Sequence, residues 1–495
     1  MRNLKNRLNI LAKTTVTIIL LVALFGKVNA QPCKEVIGYY PNWQYYKRTN
    51  LVNPKTIDYS KYTILNYCFF KPNADGTIGQ SDSYVDEIIL RGEHDWNKGG
   101  FKPNTSLIDL AHSHGVKVMV SIGGWTFSDT YPMIAADPAL RQKFASECVR
   151  LMTTFNFDGI DIDWEYPGYA DHHGTPQDKQ NFTLLMQSIR TSIDAYGASK
   201  GKKINLSACF SADPDKAMNI EWDKVKGIIN MINLMTYDFN GAWNTISNHN
   251  APLYTETQGN PSFNIHSAFQ MLTGVYHIPS TQINLGMAFY GRSYANCHGL
   301  FQSHKGSDTN FYSEDSGTPM YYNIVKNFST FTRYWDNTAK VPYAIGGPSS
   351  TFVSYDDAAS IGAKADYIVK NNARGCIIWE ITGDYIEGAA GTVASTPLAS
   401  KIKEVFCGAT TAISKTTDLH EIAFSIYPNP VGDEFTVRAD EAATISILNT
   451  GGIVVFEKKA GPEVKINFEN MAKGFYICLV KNQANQVIGR KSFIH

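Results

Sequence analysis

The sequence predicts an α/β protein: a closed (β/α)8 barrel of the TIM type, with a small α+β insertion between strands 7 and 8 and a C-terminal antiparallel β-domain. Three observations predict it. Eight short apolar runs alternate with helix-like segments between Val36 and Phe406, the rhythm of parallel strands joined by crossover helices. The gap before the eighth run is about 80 residues, far more than one crossover helix needs. Beyond Cys407 the pattern changes to short runs of alternating apolar and polar residues, broken by Gly, Pro and Asn, as in small antiparallel sheets.

Taken in order, the chain opens with Arg2, Lys5 and Arg7 ahead of an apolar run from Val16 to Phe25, then Val28-Asn29-Ala30. This is the layout of a secretory signal, with cleavage expected after Ala30. The run is shorter than the roughly 20 residues a membrane span requires. No later stretch approaches that length, so stable membrane insertion is not expected. Residues 31–407 form the expected barrel. Its strands are VIGYY at 36–40, TILNYCFF at 63–70, VKVMVSIGG at 116–124, FDGIDIDWEY at 157–166, INLSACFSA at 204–212, MINLMTYDF at 231–239, INLGMAFYG at 283–291 and GCIIWEIT at 375–382. Leu140 to Phe155 and Asp178 to Tyr196 place apolar residues near helical spacing, as crossover helices do.

The insertion is expected at about 295–355, rich in Tyr, Phe and Ser. At the top of a barrel it would add a wall to a cleft, and a floppy loop would leave those aromatics exposed. Residues 408–421, rich in Thr, Ala and Ser, read as a linker. Residues 422–495 form the C-terminal β-domain.

Lys and Arg number 45, as do Asp and Glu, so the formal net charge is zero. Nothing in that balance points to nucleic acid or an anionic membrane as partner. Aromatic residues make up 12%, with 8 Trp and 27 Tyr, which suits either a sugar-binding cleft or an aromatic-rich core. The 8 cysteines show no CxxC pair and no metal-ligand spacing. Cys68, Cys209 and Cys376 sit in strand-like runs and are expected as buried thiols. Cys33 before the first strand and Cys407 after the last helix form a candidate bridge closing the barrel at its base.

The most informative segment is Asp158-Gly159-Ile160-Asp161-Ile162-Asp163-Trp164-Glu165-Tyr166-Pro167. Side chains alternate along a strand, so Asp161, Asp163 and Glu165 share one face and Ile160, Ile162 and Trp164 the other. In a barrel the three carboxyls point inward. Like charges stacked on a buried face cannot all ionise, so at least one holds its proton at neutral pH. Glu165, at the C-terminal end where barrel chemistry occurs, is placed to deliver it. A solvent-facing edge strand is the competing structural reading. A calcium loop is another, but it wants a turn with a central Gly rather than alternation with Ile and Trp. Asp158 falls on the other parity and is assigned to structure.

The run DGIDIDWEYP resembles the DxxDxDxE signature of glycoside hydrolase family 18, and the similarity extends over residues 34–406. GYYPNW at 38–43, SIGGW at 121–125, MTYDF at 235–239, FYGRSY at 289–294 and Trp379 follow as further landmarks in order. The resemblance implies a retaining chitinase acting on chitin or chitooligosaccharides, with Glu165 as proton donor. It implies that Asp163 grips the substrate's N-acetyl N–H, that Asp161 shares a proton with Asp163, and that Tyr237 holds the acetamido group. Substrate-binding candidates are Tyr39, Phe69, Ser121, Trp125, Met235, Asp238, Trp243, Arg292 and Trp379, the last as floor of the cleaved subsite. Neither metal nor organic cofactor is required.

Two other activities stay open on this reading: an endo-β-N-acetylglucosaminidase acting on N-glycans, and a non-hydrolytic chitin-binding lectin. The tail, with YPNPV at 427–431 and GFYICLVKNQ near its end, resembles the sorting domains of type IX secretion. This implies delivery through that secretion machinery to the exterior or the cell surface. A carbohydrate-binding module is the rival for the tail, which contains no Trp to stack on sugar.

Overall fold

In the computed structural model, the described residues are 33–407, 424–428, 431–439, 443–449, 454–461, 463–481 and 487–495. The expected signal segment and linker lie outside them. Two compact units form, one ending at Ala409 and one beginning at Thr410.

The first unit contains the eight expected strands: β1 (Glu35–Pro41), β2 (Ile64–Pro72), β3 (Lys117–Gly123), β4 (Gly159–Asp163), β5 (Asn205–Ser211), β6 (Met231–Met235), β7 (Ile283–Ala288) and β8 (Gly375–Trp379). They pair in parallel in sequence order, and β1 pairs with both β2 and β8, which closes the ring. A short strand, Ile78–Gln80, adds antiparallel to β2.

Alternation along the strands separates two cores. Ile160, Ile162 and Trp164 point outward into the layer between strands and helices, where Trp164 stacks on Tyr131 with ring centroids 5.3 Å apart. Tyr39, Met119, Cys209, Met231 and Ile377 fill the interior. The helices expected from periodicity are Pro138–Phe155 and Asp178–Lys200. The first begins where Asp137 accepts the backbone N–H groups of Ala139 and Leu140, an N-cap that satisfies two orphan donors.

The insertion is a four-stranded antiparallel sheet ordered Phe331–Asp336, Val341–Gly346, Thr351–Ser354, Arg292–Tyr294, with the helix Tyr321–Lys326. Its first strand begins at Arg292, ahead of the expected 295, because β7 ends at Ala288. Cys33 and Cys407 form a disulfide, with Cα atoms 4.4 Å apart. It joins the segment before β1 to the end of the helix Pro397–Phe406. Cys68, Cys209 and Cys376 are buried free thiols.

The second unit holds two antiparallel sheets. One orders Phe424–Tyr427, Glu434–Ala439 and Glu463–Asn467; the other orders Val454–Ala460, Ala443–Asn449, Phe475–Lys481 and Val487–Ile494. Phe435 and Val437 from the first share one core with Ile445, Ile447, Cys478 and Phe493 from the second, as in a small sandwich. No helix among the described residues is long and apolar enough to cross a membrane.

Candidate active site

The carboxyl ladder rises along β4 from a polar base. Asp161 is fully buried. Register places Ser121 of β3 and Ser207 of β5 on either side of it. Its Oδ2 accepts from the Tyr39 hydroxyl at 2.9 Å and Ser121 Oγ at 2.8 Å; its Oδ1 accepts from Asn233 Nδ2 at 3.0 Å and from the Ser207 hydroxyl. Asn233 is in turn oriented by the Asn284 amide, which donates to its Oδ1 at 3.0 Å. Burial pushes the Asp161 carboxyl up from its ordinary value, and these donors oppose the shift.

Asp163 lies one step higher and is 3% exposed. Burial, then the charges of Glu165 and Asp161, hold its carboxyl well above the usual range. Its Oδ1 has no hydrogen-bond partner within the protein. A buried acceptor without a donor is unfavourable, and a ligand N–H would satisfy it.

Glu165 stands at the mouth, half-buried. Its backbone N–H donates to Ser128 Oγ at 2.9 Å, and that hydroxyl donates to the Gly124 carbonyl at 2.9 Å. The acid is therefore braced by the loop after β3. Burial raises its carboxyl to about 7, with Asp238 adding to the rise and Tyr166, Trp125 and Lys216 opposing it. An acid of that strength is poised to donate a proton near neutral pH.

Asp163 and Glu165 open into a cleft of about 1120 Å³. Tyr39, Phe69, Trp125, Asp163, Glu165, Met235, Tyr237, Asp238, Trp243, Arg292 and Trp379 all line it. Asp161 and Ser121 do not, since both are fully buried beneath. Ser121 thus meets Asp161 rather than the cleft. Trp379, at the end of β8, stacks on Phe69 with centroids 5.7 Å apart and lies 5.8 Å from Tyr39. The Tyr237 ring passes over Gly286, where any added Cβ would lie 2.7 Å from it.

Asp238 follows with φ 55°, an uncommon value outside glycine. Its carboxylate accepts from Tyr290 at 2.7 Å and Arg292 Nε at 2.8 Å. Arg292 also lies over the Trp243 ring, 4.9 Å from its centroid. Asp158 points away: its Oδ2 accepts from the Val118 N–H at 2.8 Å and lies 2.7 Å from His112 Nε2, the structural role parity assigned it.

Sequence reasoning missed several members of this site. Trp43, Phe127, Tyr166, Tyr169 and Lys216 also line the cleft, and Ser207 and Asn233 hold Asp161. Trp43 lies within the quoted GYYPNW run. A polar residue inside an apolar strand run was the available signal for Ser207 and Asn233.

A family model described as "Glycosyl hydrolases family 18" matches residues 35–384, and one described as "Secretion system C-terminal sorting domain" matches residues 425–495. Chitinase A1 of Niallia circulans is 34% identical over 397 residues, covering 71% of this chain and 56% of its own length. The match therefore spans little more than half of that relative. Chitinase 1 of Aphanocladium album is 32% identical, covering 69% of this chain and 80% of its own length. The solved Group IV chitinase of Ostrinia furnacalis superposes with a TM-score of 0.66 at 29% identity, over 75% of this chain and 99% of that one. The sorting domain marks the protein for type IX secretion, to the exterior or the cell surface.

Proposed function

The chain belongs to the glycosyl hydrolases of family 18, and from that premise we propose that it is a chitinase hydrolysing β-1,4-linked N-acetylglucosamine chains with retention of configuration. The observation that carries the reading is the graded ladder, from Asp161 held by four donors to Glu165 raised to about 7 in an aromatic cleft. Glu165 donates its proton to the glycosidic oxygen as that bond breaks. The acetamido oxygen of the sugar on the non-reducing side attacks the anomeric carbon, forming a cyclic oxazolinium; family 18 is a known exception to the two-carboxylate scheme. Asp163 accepts the acetamido N–H and Tyr237 holds the acetamido oxygen, so both orient a nucleophile rather than supply one. Water then opens the ring, giving its proton to Glu165, and the double inversion retains the β-anomer. Trp379 supports the sugar at the cut. The C-terminal unit is read as the element the secretion machinery recognises.

Digestion of chitin hexamer and of an N-linked glycopeptide in parallel tests this reading. The expected result is cleavage of the hexamer with the β-anomer released first, and a loss of about 10² to 10⁴ in turnover for Glu165→Gln. Preferential cleavage of the glycopeptide would favour an endo-β-N-acetylglucosaminidase. Binding of the hexamer by the unaltered protein without cleavage would favour a lectin.

A further inference from the structure

Trp43 faces the cleft from the short helix Asn42–Tyr46 after β1, with its ring centroid 6.3 Å from Trp379 and 6.1 Å from Phe69. Trp43 itself is 37% exposed, yet the residues on either side are buried and tied down. Asn42 donates to Ser81 Oγ at 2.7 Å and Asp86 Oδ1 at 2.9 Å. Gln44 donates its side-chain amide to Glu380 Oε1 at 3.0 Å.

Glu380 is the residue after Trp379 and is 1% exposed. Besides the Gln44 amide, its carboxyl accepts from the Thr382 N–H at 2.8 Å and the Thr382 hydroxyl at 2.6 Å. Arg48, just past the helix, donates to the Thr382 and Tyr385 carbonyls at 2.7 and 2.6 Å and lies 3.7 Å above the Tyr322 ring centroid. The segment carrying Trp43 is thus clamped to the segment carrying Trp379 by contacts between residues more than 330 positions apart.

We propose that Gln44 and Glu380 are positioning residues for the hydrolytic cleft, fixing Trp43 relative to Trp379 so that a longer sugar chain finds both rings already in place. This rests on the reading of the cleft as the site of chitooligosaccharide hydrolysis. A substrate long enough to reach Trp43 gains from the preset spacing; one ending over Trp379 does not. Losing one buried hydrogen bond to a carboxylate weakens this clamp and loosens the spacing of the two rings.

The test compares kcat and KM across chitooligosaccharides of two to six units for the unaltered enzyme, Gln44→Met, Glu380→Gln and the double variant Q44E/E380Q. The double variant exchanges donor and acceptor and so can restore the bond. The expected result is a KM raised about tenfold for chains of four units and longer in each single variant, with kcat and short-chain KM within about twofold, and recovery of most of the loss in the exchange variant. Hydrolysis by the unaltered enzyme decides the parent reading separately. Equal KM changes at all chain lengths, or an exchange variant no better than the singles, overturns the positioning role. Gln44→Met keeps the side-chain size while removing the donor. If Glu380→Gln does not fold, an unchanged length dependence in Gln44→Met alone overturns the proposal.

Discussion

Glu165 is raised from the ordinary 4.5 to about 7, and two neighbouring charges offer a way to move that value in opposite directions. At pH 7 an acid of that strength is protonated in about half the molecules, whereas an unshifted glutamic acid would be protonated in about one in three hundred. The basic limb of the kcat/KM profile should therefore fall near pH 7 and drop about tenfold per pH unit above it. Lys216 lines the same cleft and favours the ionised carboxylate, while Asp238 disfavours it.

Lys216→Met removes a cation and also frees Asp213, its partner at 2.9 Å. Both effects raise the acid further, so the limb should move to higher pH. Asp238→Asn removes an anion and frees Arg292, its partner at 2.6 Å, so the limb should move to lower pH. Each shift should be about half a pH unit, an interaction on the order of 0.7 kcal/mol for charges in a partly wet cleft. The assay is kcat/KM on a chromogenic oligosaccharide from pH 4 to 9. The position of the limb is read independently of its height, so weaker binding in either variant does not obscure it. Limbs that stay fixed, or move in the same direction in both variants, would refute Glu165 as the titrating acid.

Trp379→Ala should weaken substrate binding and lower kcat together, because in the proposed role the indole holds the bound sugar and holds it more strongly in the transition state; an effect confined to thermal stability would mark it as core. Glu256 is 8% exposed, leaves its Oε1 unpartnered and is raised by burial to about 8. The folded state therefore holds a proton that the unfolded state releases above its ordinary 4.5, and stability from this group is lost as pH rises toward 8. Glu256→Gln should flatten that loss, adding on the order of 4 kcal/mol at pH 8.5 and little at pH 4, as measured by denaturant unfolding at the two values. Deleting residues 408–495 should leave hydrolysis of soluble oligomers nearly unchanged, since every proposed catalytic group lies in the first unit, while export from the native cell fails. Loss of binding to insoluble chitin alone would instead favour a sugar-binding tail.

The ladder was legible because period-two alternation needs no knowledge of the partners: with β4 at 159–163 and the alternation carried two residues past its end, Asp161, Asp163 and Glu165 share a face. The cage around Asp161 was not legible. Ser207 and Asn233 reach it through the parallel register of β4, β5 and β6, and register is set by packing across strands rather than by any one run. The same holds for Gln44 and Glu380, which meet only when β1 and β8 close the ring. Ser121 could be placed near the acids by its landmark. That it meets Asp161 rather than the cleft depends on its height on β3, where it pairs in register with Asp161, two residues below the pairing of Gly123 with Asp163. The insertion's edge shifted for a related reason: INLGMAFYG reads as one strand to 291, yet β7 ends at Ala288 and Arg292–Tyr294 pairs with Thr351–Ser354 instead.

The supply of hydrogen-bond donors along the ladder dictates which carboxyl carries charge. Asp161 has no access to water, but its four side-chain donors offset much of the burial penalty. An anion there is tolerable. Asp163 has burial without compensating donors from the protein on its Oδ1 and an acid on either side, so it is the group that best keeps a proton. When a substrate N–H arrives at that oxygen, the balance changes. Asp163 gains a donor, its charged form becomes less unfavourable, and the proton can pass toward Asp161, whose cage then stabilises less charge than before. In the proposed reaction the negative charge would then move one step up the strand, toward the cationic ring formed in its first half. Glu165 is meanwhile kept protonated by the rising charge beneath it, through the like-charge effect that raises both groups. On this argument the lower carboxyls act as one unit that couples substrate arrival to the readiness of the acid. Weakening the base of the ladder, for instance by Asn233→Ala, would be felt at the mouth although no atom of Asn233 reaches the cleft.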